Sequence, residues 1–290
     1  ERFRSTPDGP KSVEVAGPRV FVYGGSTTLG MGVSDRETIP YFLQTHLRQS
    51  GFPNVHVFNF GAPGYFSTQE MMSFERHVRE GSIPDIAVFI DGLNDFYSCK
   101  VPDQSTESWK IDRVFAGHGH HNVGRILAQR SNVLKLIRYY QGTEFPGQRD
   151  GNRCGSQKNA NRVIKRLNVN REMITAIGER MGIGTIFVQQ PVPTFGYDNS
   201  RRPEPLRDHE KFGLHKNSMI GYPMIANYRN AGTMFSENVL WLENAQIDQN
   251  MYIDLVHYSP QFNLDIAKRI SNFLLLKYAN NLSEHWQKKN

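Results

Sequence analysis

Short apolar runs alternate along the chain with longer segments in which apolar residues recur at helical spacing. Five runs have the length and composition of buried strands, at residues 19–23, 55–60, 85–90, 184–190 and 239–242. Five longer segments predict helices, at residues 37–50, 68–80, 161–181, 222–236 and 260–278. Strands that alternate with helices favour a parallel sheet covered on both faces. We therefore predict the α/β class, as a three-layer α/β/α sandwich around a central parallel sheet of five strands.

The chain divides into an opening segment and one domain. Residues 1–18 are polar and rich in Pro and Gly, which predicts a linker or stalk, and we expect a single domain at 19–290. Between residues 96 and 159 the periodicity weakens, apart from an amphipathic stretch at 123–140. This region is interpreted as an insertion over the site.

Composition and charge exclude several classes of protein. Of the 290 residues, 38% are hydrophobic, and 18 Phe with 12 Tyr argue against disorder. The net charge of +6 comes from basic residues spread along the chain, whereas nucleic-acid binding would concentrate them on one face. No run of 18 apolar residues predicts a membrane span, although an N-terminal signal or anchor could have been removed before Glu1. Cys99 and Cys154 could form one disulfide or be two unrelated thiols.

Ser26 and His257 are candidates for a nucleophile and its base. Ser26 follows the first predicted strand and two glycines, which permit a sharp turn, but a serine hydroxyl needs a neighbouring base to act as a nucleophile. His257 is the candidate base, and Asp254, three residues earlier, would orient its ring. The alternatives are that Ser26 merely caps a helix and that His257 is a surface residue near a capping Asp.

Three hydrogen-bond donors could stabilise an oxyanion beside Ser26. They are the side-chain amide of Asn94 and the backbone N–H groups of Gly64 and Ser26. All three residues follow predicted strands, and ligands of parallel sheets bind beyond the carboxyl ends of the strands. The alternative is an ordinary turn at Asn94 and a loop glycine at Gly64.

The chain resembles the SGNH hydrolases, the superfamily of GDSL-like esterases and lipases with a flavodoxin-like sandwich. Four segments carry the resemblance, at residues 24–30, 59–64, 92–95 and 254–257. The resemblance implies Ser26 as nucleophile, Asp254 and His257 as its acid–base partners, and an oxyanion hole of Ser26, Gly64 and Asn94. The family has Asp before the serine, where this chain has Gly25.

Further similarity, at residues 24–28 and 190–193, is to a bacterial subgroup associated with cell-surface polysaccharide. It implies an extracytoplasmic enzyme, periplasmic or on the cell surface, that removes acyl groups, above all acetyl, from a glycan. An O-acyltransferase would use the same residues, and a catalytically inactive glycan-binding protein is the alternative of another class. No cofactor or metal is expected, and the histidines at 118–121 are interpreted as a solvated loop rather than a metal site. The expected partner is an acylated carbohydrate or polysaccharide substrate, and no nucleic-acid partner is expected.

Overall fold

A parallel sheet forms the centre of the molecule. The computed structural model describes residues 3–7, 9–97, 156–198, 200, 209–234 and 237–288. Its strands are β1 (Arg19–Gly24), β2 (His56–Gly61), β3 (Ile86–Asp91), β4 (Gly184–Gln189) and β5 (Val239–Trp241). The strand order is β2-β1-β3-β4-β5, and every neighbouring pair is parallel. All five strands lie where the apolar runs predicted them, and the predicted fold class is confirmed.

The helices agree less closely with the prediction. They are α1 (Ser26–Leu29), α2 (Ile39–Gln49), α3 (Ser67–Arg79), α4 (Leu93–Tyr97), α5 (Gln157–Met181), α6 (Ser218–Asn230) and α7 (Pro260–Lys288), with 3₁₀ turns at Asp35–Glu37 and His209–Asn217. The helix expected at 222–236 begins and ends earlier, and the last helix continues beyond residue 278. The short α1 and α4 were not predicted. The helix expected at 68–80 begins one residue earlier, at Ser67, with Phe66 in the N-cap position.

The two faces of the sheet carry different side chains. On β1, Val20 and Val22 belong to a mainly aliphatic core that includes residues of α2 and α7, whereas Phe21 and Tyr23 belong to an aromatic core with residues of α3 and α5. Successive residues of a strand point to opposite faces, so both faces of this strand are buried. The result is the three-layer arrangement, with helices on each side of the sheet.

The opening segment contacts the domain. Arg4 forms an isolated antiparallel bridge with Asn59 of β2, an edge strand of the sheet. The guanidinium of Arg4 also donates to Asp35 at 2.7 Å and to the carbonyls of Leu29, Gly30 and Val33 at 2.6–2.9 Å. Part of the predicted linker therefore packs on the loop that follows α1, while the division into residues 1–18 and one domain at 19–290 stays a prediction.

Most of the predicted insertion at 96–159 lies outside the described residues. The same holds for Cys99, Cys154, the amphipathic stretch at 123–140 and the histidines at 118–121. Among the helices that the structure describes, none combines the length and apolarity of a membrane span.

Candidate active site

The turn after β1 places Ser26 at the carboxyl edge of the sheet. β1 ends at Gly24, Gly25 occupies the N-cap position in an extended conformation, and Ser26 is the first residue of α1. Ser26 therefore starts the helix rather than capping it with its side chain. Because a first helical residue has no intrahelical acceptor, its N–H is available to a ligand.

The side chains of Ser26, His257 and Asp254 form one chain of hydrogen bonds. His257 Nε2 lies 2.9 Å from Ser26 Oγ, and His257 Nδ1 lies 2.6 Å from Asp254 Oδ2. A carboxylate can only accept, so the Nδ1 atom carries the proton and Nε2 is free to accept from the serine hydroxyl. The structure thus brings together the three side chains that the sequence predicted as nucleophile, base and orienting acid.

The acid–base pair is held by its own short loop. Oδ1 of Asp254 accepts from the backbone N–H groups of Val256 at 2.9 Å and His257 at 2.8 Å. An antiparallel bridge between Tyr252 and Tyr258 closes the loop, and α7 begins two residues after Tyr258. Because one carboxylate binds two backbone N–H groups and the imidazole, the loop itself fixes the orientation of the ring.

Asp254 remains ionised near neutral pH. Partial burial raises its pKa, but the hydrogen bonds from His257 and Val256 outweigh burial and bring the pKa to about 2. An ionised Asp254 can stabilise the imidazolium that forms when His257 accepts a proton.

Gly25 lies against Asn94, the second residue of α4. Nδ2 of Asn94 donates to the carbonyl of Tyr65 at 2.8 Å. A Cβ added at Gly25 would lie 2.4 Å from Asn94 Nδ2 and 3.1 Å from the Tyr65 carbonyl oxygen. A side chain at position 25 would therefore displace Asn94, so this turn requires Gly at position 25.

Gly61, the last residue of β2, and Gly64, in the loop that follows, differ in whether their N–H groups are free to bind a ligand. The Gly61 N–H donates to Asn59 Oδ1 at 3.0 Å, and a Cβ at Gly61 would lie 2.3 Å from the Leu29 nitrogen. Gly64 is exposed, has a φ of +76°, and its N–H donates to none of the described residues. Of the two, only Gly64 has an N–H to offer, and its neighbour Tyr65 is the residue that contacts Asn94.

A second histidine lies beside the triad and was not predicted. His215 is on the 3₁₀ turn His209–Asn217, and its ring lies 4.7 Å from that of Tyr97. Burial, followed by the charge of His257, lowers the pKa of His215 to about 4, so its ring is neutral near pH 7. The sequence around His215 is irregular and lies outside the four motif segments, so no pattern marked it.

No group of three His, Cys, Asp or Glu side chains with the arrangement of a metal site occurs in the described part of the chain. The absence of a cofactor stays a prediction.

Comparison with known proteins gives matches among solved structures alone. No family profile matches the chain, and no curated protein matches it. The lipase Lip_vut3 from a goat rumen metagenome superposes with a TM-score of 0.50 at 9% identity, over 88% of this chain and 97% of the lipase. The chain has the fold of this lipase.

Two further structures match at lower TM-scores. A member of the lipolytic protein G-D-S-L family from Veillonella parvula DSM 2008 gives 0.43 at 11% identity, over 91% of this chain and 99% of that protein. An acetyl xylan esterase, AlAXEase, gives 0.44 at 13% identity, over 88% of this chain and 98% of the esterase.

Proposed function

We propose that this protein is a serine esterase of the SGNH hydrolase superfamily. The observation that carries the proposal is the chain of hydrogen bonds from Asp254 through His257 to Ser26, with distances of 2.6 Å and 2.9 Å. A nucleophile within hydrogen-bond reach of a base, which is in turn oriented by a third group, is the arrangement that activates a serine hydroxyl. The fold shared with a lipase agrees with this role and does not by itself establish it.

The first half of the reaction forms an acyl-serine. Ser26 Oγ attacks the ester carbonyl carbon while His257 Nε2 accepts the hydroxyl proton. When the tetrahedral intermediate collapses, the carbon–oxygen bond to the alcohol breaks, and the proton on His257 passes to the leaving oxygen. Asp254 stays ionised throughout and stabilises the imidazolium.

The second half releases the acid. Water attacks the acyl-serine carbonyl, His257 accepts the proton of that water, and Ser26 Oγ leaves with the proton returned by His257. The reaction needs no group beyond the three side chains, the oxyanion donors and water.

The developing oxyanion would be bound by Ser26 N–H, Gly64 N–H and Asn94 Nδ2. One proton of the Asn94 amide is directed at the Tyr65 carbonyl, which leaves the second for substrate. One such donor typically contributes about 3 kcal/mol to transition-state stabilisation.

The proposed substrate is an acylated glycan, with acetyl as the expected group, in an extracytoplasmic compartment. The support is the resemblance of residues 24–28 and 190–193 to the polysaccharide-associated subgroup. In the structure, Tyr258 donates to the Pro191 carbonyl at 2.7 Å and accepts from Gln190 Nε2 at 2.9 Å. The second of these segments therefore packs on the residue next to His257 and has a structural role at the site.

The test combines a small ester with a set of glycans. The protein should hydrolyse an aryl acetate, Ser26→Ala should lose that hydrolysis, and Ser50→Ala, at an exposed serine after α2, should retain it. With an acetylated polysaccharide as substrate, the protein should release acetate, and the mass of the glycan should fall accordingly. Transfer of acetyl to an added sugar in preference to water would instead favour the O-acyltransferase, and no reaction with any ester would contradict the proposal.

A further inference from the structure

Behind Asn94 lies a cluster of charged side chains that the proposed chemistry does not use. It consists of three acids, Glu70, Asp91 and Asp95, and two bases, Arg166 and Arg171. The acids are at most 3% exposed, and the side chains of Arg166 and Arg171 are 10% and 2% exposed. The cluster joins α3, the end of β3, α4 and α5.

Two of the acids have cationic partners. Arg171 Nη2 lies 2.5 Å from Asp91 Oδ1 and 3.1 Å from Gln189 Oε1. Arg166 Nη2 lies 3.8 Å from Asp95 Oδ1, and Ser67 Oγ donates to the same Asp95 oxygen at 2.5 Å. Burial raises the pKa of Asp91 to about 6, and the charge of Arg171 opposes that rise. Asp95 is buried with Arg166 and Ser67 as its partners.

Glu70 differs from the other two acids. It is 1% exposed, and neither of its carboxyl oxygens hydrogen-bonds to any of the described residues. If all three acids were ionised, the cluster would carry three negative and two positive charges, whereas a protonated Glu70 makes it neutral. An unbalanced charge at such a site is costly, and Glu70 has the fewest donors to stabilise it. Burial, and then the charges of Asp91 and Asp95, raise the pKa of Glu70 well above its usual range, while Arg171 opposes them.

The cluster holds both ends of the turn that carries Asn94. Asp91 is the last residue of β3, and Asp95 directly follows Asn94 on α4. Between them, Gly92 has a φ of +125°, and a Cβ there would lie 2.5 Å from both Tyr222 Oη and Gln189 Nε2. The turn is thus closely packed, and charged contacts flank Asn94 on each side.

We propose that Glu70 is a buried neutral acid that balances this cluster, and that the balanced cluster positions Asn94. Ser67, Asp91, Asp95 and the two arginines are then positioning residues for the oxyanion donor. The first half of the proposal concerns the folded protein alone, and the second half rests on the proposed esterase function.

The protonation of Glu70 is tested by stability. Glu70 would be protonated in the folded state, whereas in the unfolded chain, where its pKa is ordinary, it loses its proton as pH rises above about 4.5. Rising pH therefore favours the unfolded state. Relative to Glu70→Gln, which cannot ionise, the unfolding constant of the wild type should therefore increase with pH above about 4.5, approaching tenfold per pH unit while the folded-state acid stays protonated. Glu75→Gln, at a half-exposed glutamate of the same helix that lies 3.7 Å from Arg79, should show no such slope.

Denaturant unfolding, followed by tryptophan fluorescence, measures these constants. A ratio of wild type to Glu70→Gln that does not change with pH would overturn the neutral acid. If Glu70→Gln does not fold, the protonation state of Glu70 can be read from the infrared spectrum of wild-type protein whose glutamates are labelled with carbon-13. A protonated carboxylic acid band at pH 7 supports the proposal, and its absence contradicts it.

The positioning of Asn94 is tested by a matched pair of hydroxyl deletions on α3. Asn170 Nδ2 donates to Ser67 Oγ at 2.9 Å and to Thr68 Oγ1 at 3.0 Å, but of these two hydroxyls Ser67 is the one that contacts Asp95. Ser67→Ala should lower kcat for an aryl ester about tenfold with KM unchanged, as expected when an oxyanion donor is misplaced. Thr68→Ala should leave kcat within about twofold of wild type.

Equal kcat values for the two variants, or a rise in KM with kcat intact, would overturn the positioning role. A wild-type protein that hydrolyses no ester would instead contradict the proposed function and, with it, the positioning half. The stability measurement would still decide the protonation of Glu70.

Discussion

The two sides of Ser26 are built in different ways. On the acid–base side, Asp254 and His257 are three residues apart, and one carboxylate binds the ring and two backbone N–H groups of the same loop. The Asp254 side chain is 50% exposed. On the oxyanion side, Asn94 lies on a turn whose supporting side chains are buried and come from α3, α5 and β4.

Because of this difference, substitutions on the two sides should affect activity and stability in different ways. The acid–base pair is organised locally, so its substitution should remove activity with little loss of stability. The oxyanion side is organised by contacts between residues distant in sequence, and buried charges left without partners are strongly destabilising. Substitutions around Asn94 should therefore affect activity and stability together.

The largest expected effect is on the acid–base side. His257→Ala should lower kcat/KM for an aryl ester by about 10⁴-fold or more, because the triad residues act as a unit. Its melting temperature should stay close to that of wild type, and His46→Ala on α2 serves as the control. A large drop in melting temperature would contradict the local character of this side.

Asn94→Ala should lower kcat by about 100-fold while KM barely changes, since an oxyanion donor acts mainly in the transition state. Steady-state kinetics on an aryl ester measures both constants. Asn54→Ala, at an exposed loop position before β2, should match wild type. If KM rises while kcat is intact, Asn94 binds the substrate and is not an oxyanion donor.

Gly25→Ala should have a smaller effect of about tenfold on kcat, because the new Cβ displaces the Asn94 amide without removing it. Gly51→Ala is a useful comparison. Gly51 has a φ of +102° but no atom within 4 Å of an added Cβ, so its substitution strains the backbone far from the site. Kinetics of the two variants should separate loss of activity at Gly25 from loss of stability at Gly51.

The smallest expected effect is a dependence of stability on pH. The folded-state pKa of Asp254 lies near 2, below the ordinary value of 3.8, so its contribution is present above pH 3.8 and is lost as pH falls towards 2. Since the side chain is half exposed, solvent screening keeps this contribution small. Asp254→Asn should remove the dependence, which denaturant unfolding between pH 2 and 5 can measure; an unchanged profile would contradict the hydrogen bonding of its carboxylate.

The sequence predicted the strands and the acid–base pair because both leave local patterns. A buried strand between helices is an uninterrupted apolar run, and Asp254 and His257 belong to one short segment. The helices α1 and α4, which carry Ser26 and Asn94, were missed because four or five residues are too few to show helical periodicity.

The charged cluster could not be predicted in the same way. Glu70 and Arg171 lie on amphipathic helices, where polar side chains are normally expected on the solvated face. Their burial depends on the packing of α3 and α5 against the sheet, which no local pattern records. His215 was missed for a similar reason, because its place beside His257 comes from the packing of an irregular segment.

The central claim is that Ser26 is a nucleophile activated by His257. Intact-mass analysis after reaction with a serine-directed fluorophosphonate, followed by peptide mapping, tests it most directly. We expect one adduct per chain on Ser26 in wild type, none in Ser26→Ala, and strongly slowed labelling in His257→Ala. An adduct that persists in folded Ser26→Ala, or labelling of Ser26 that is equally fast without His257, would contradict the account.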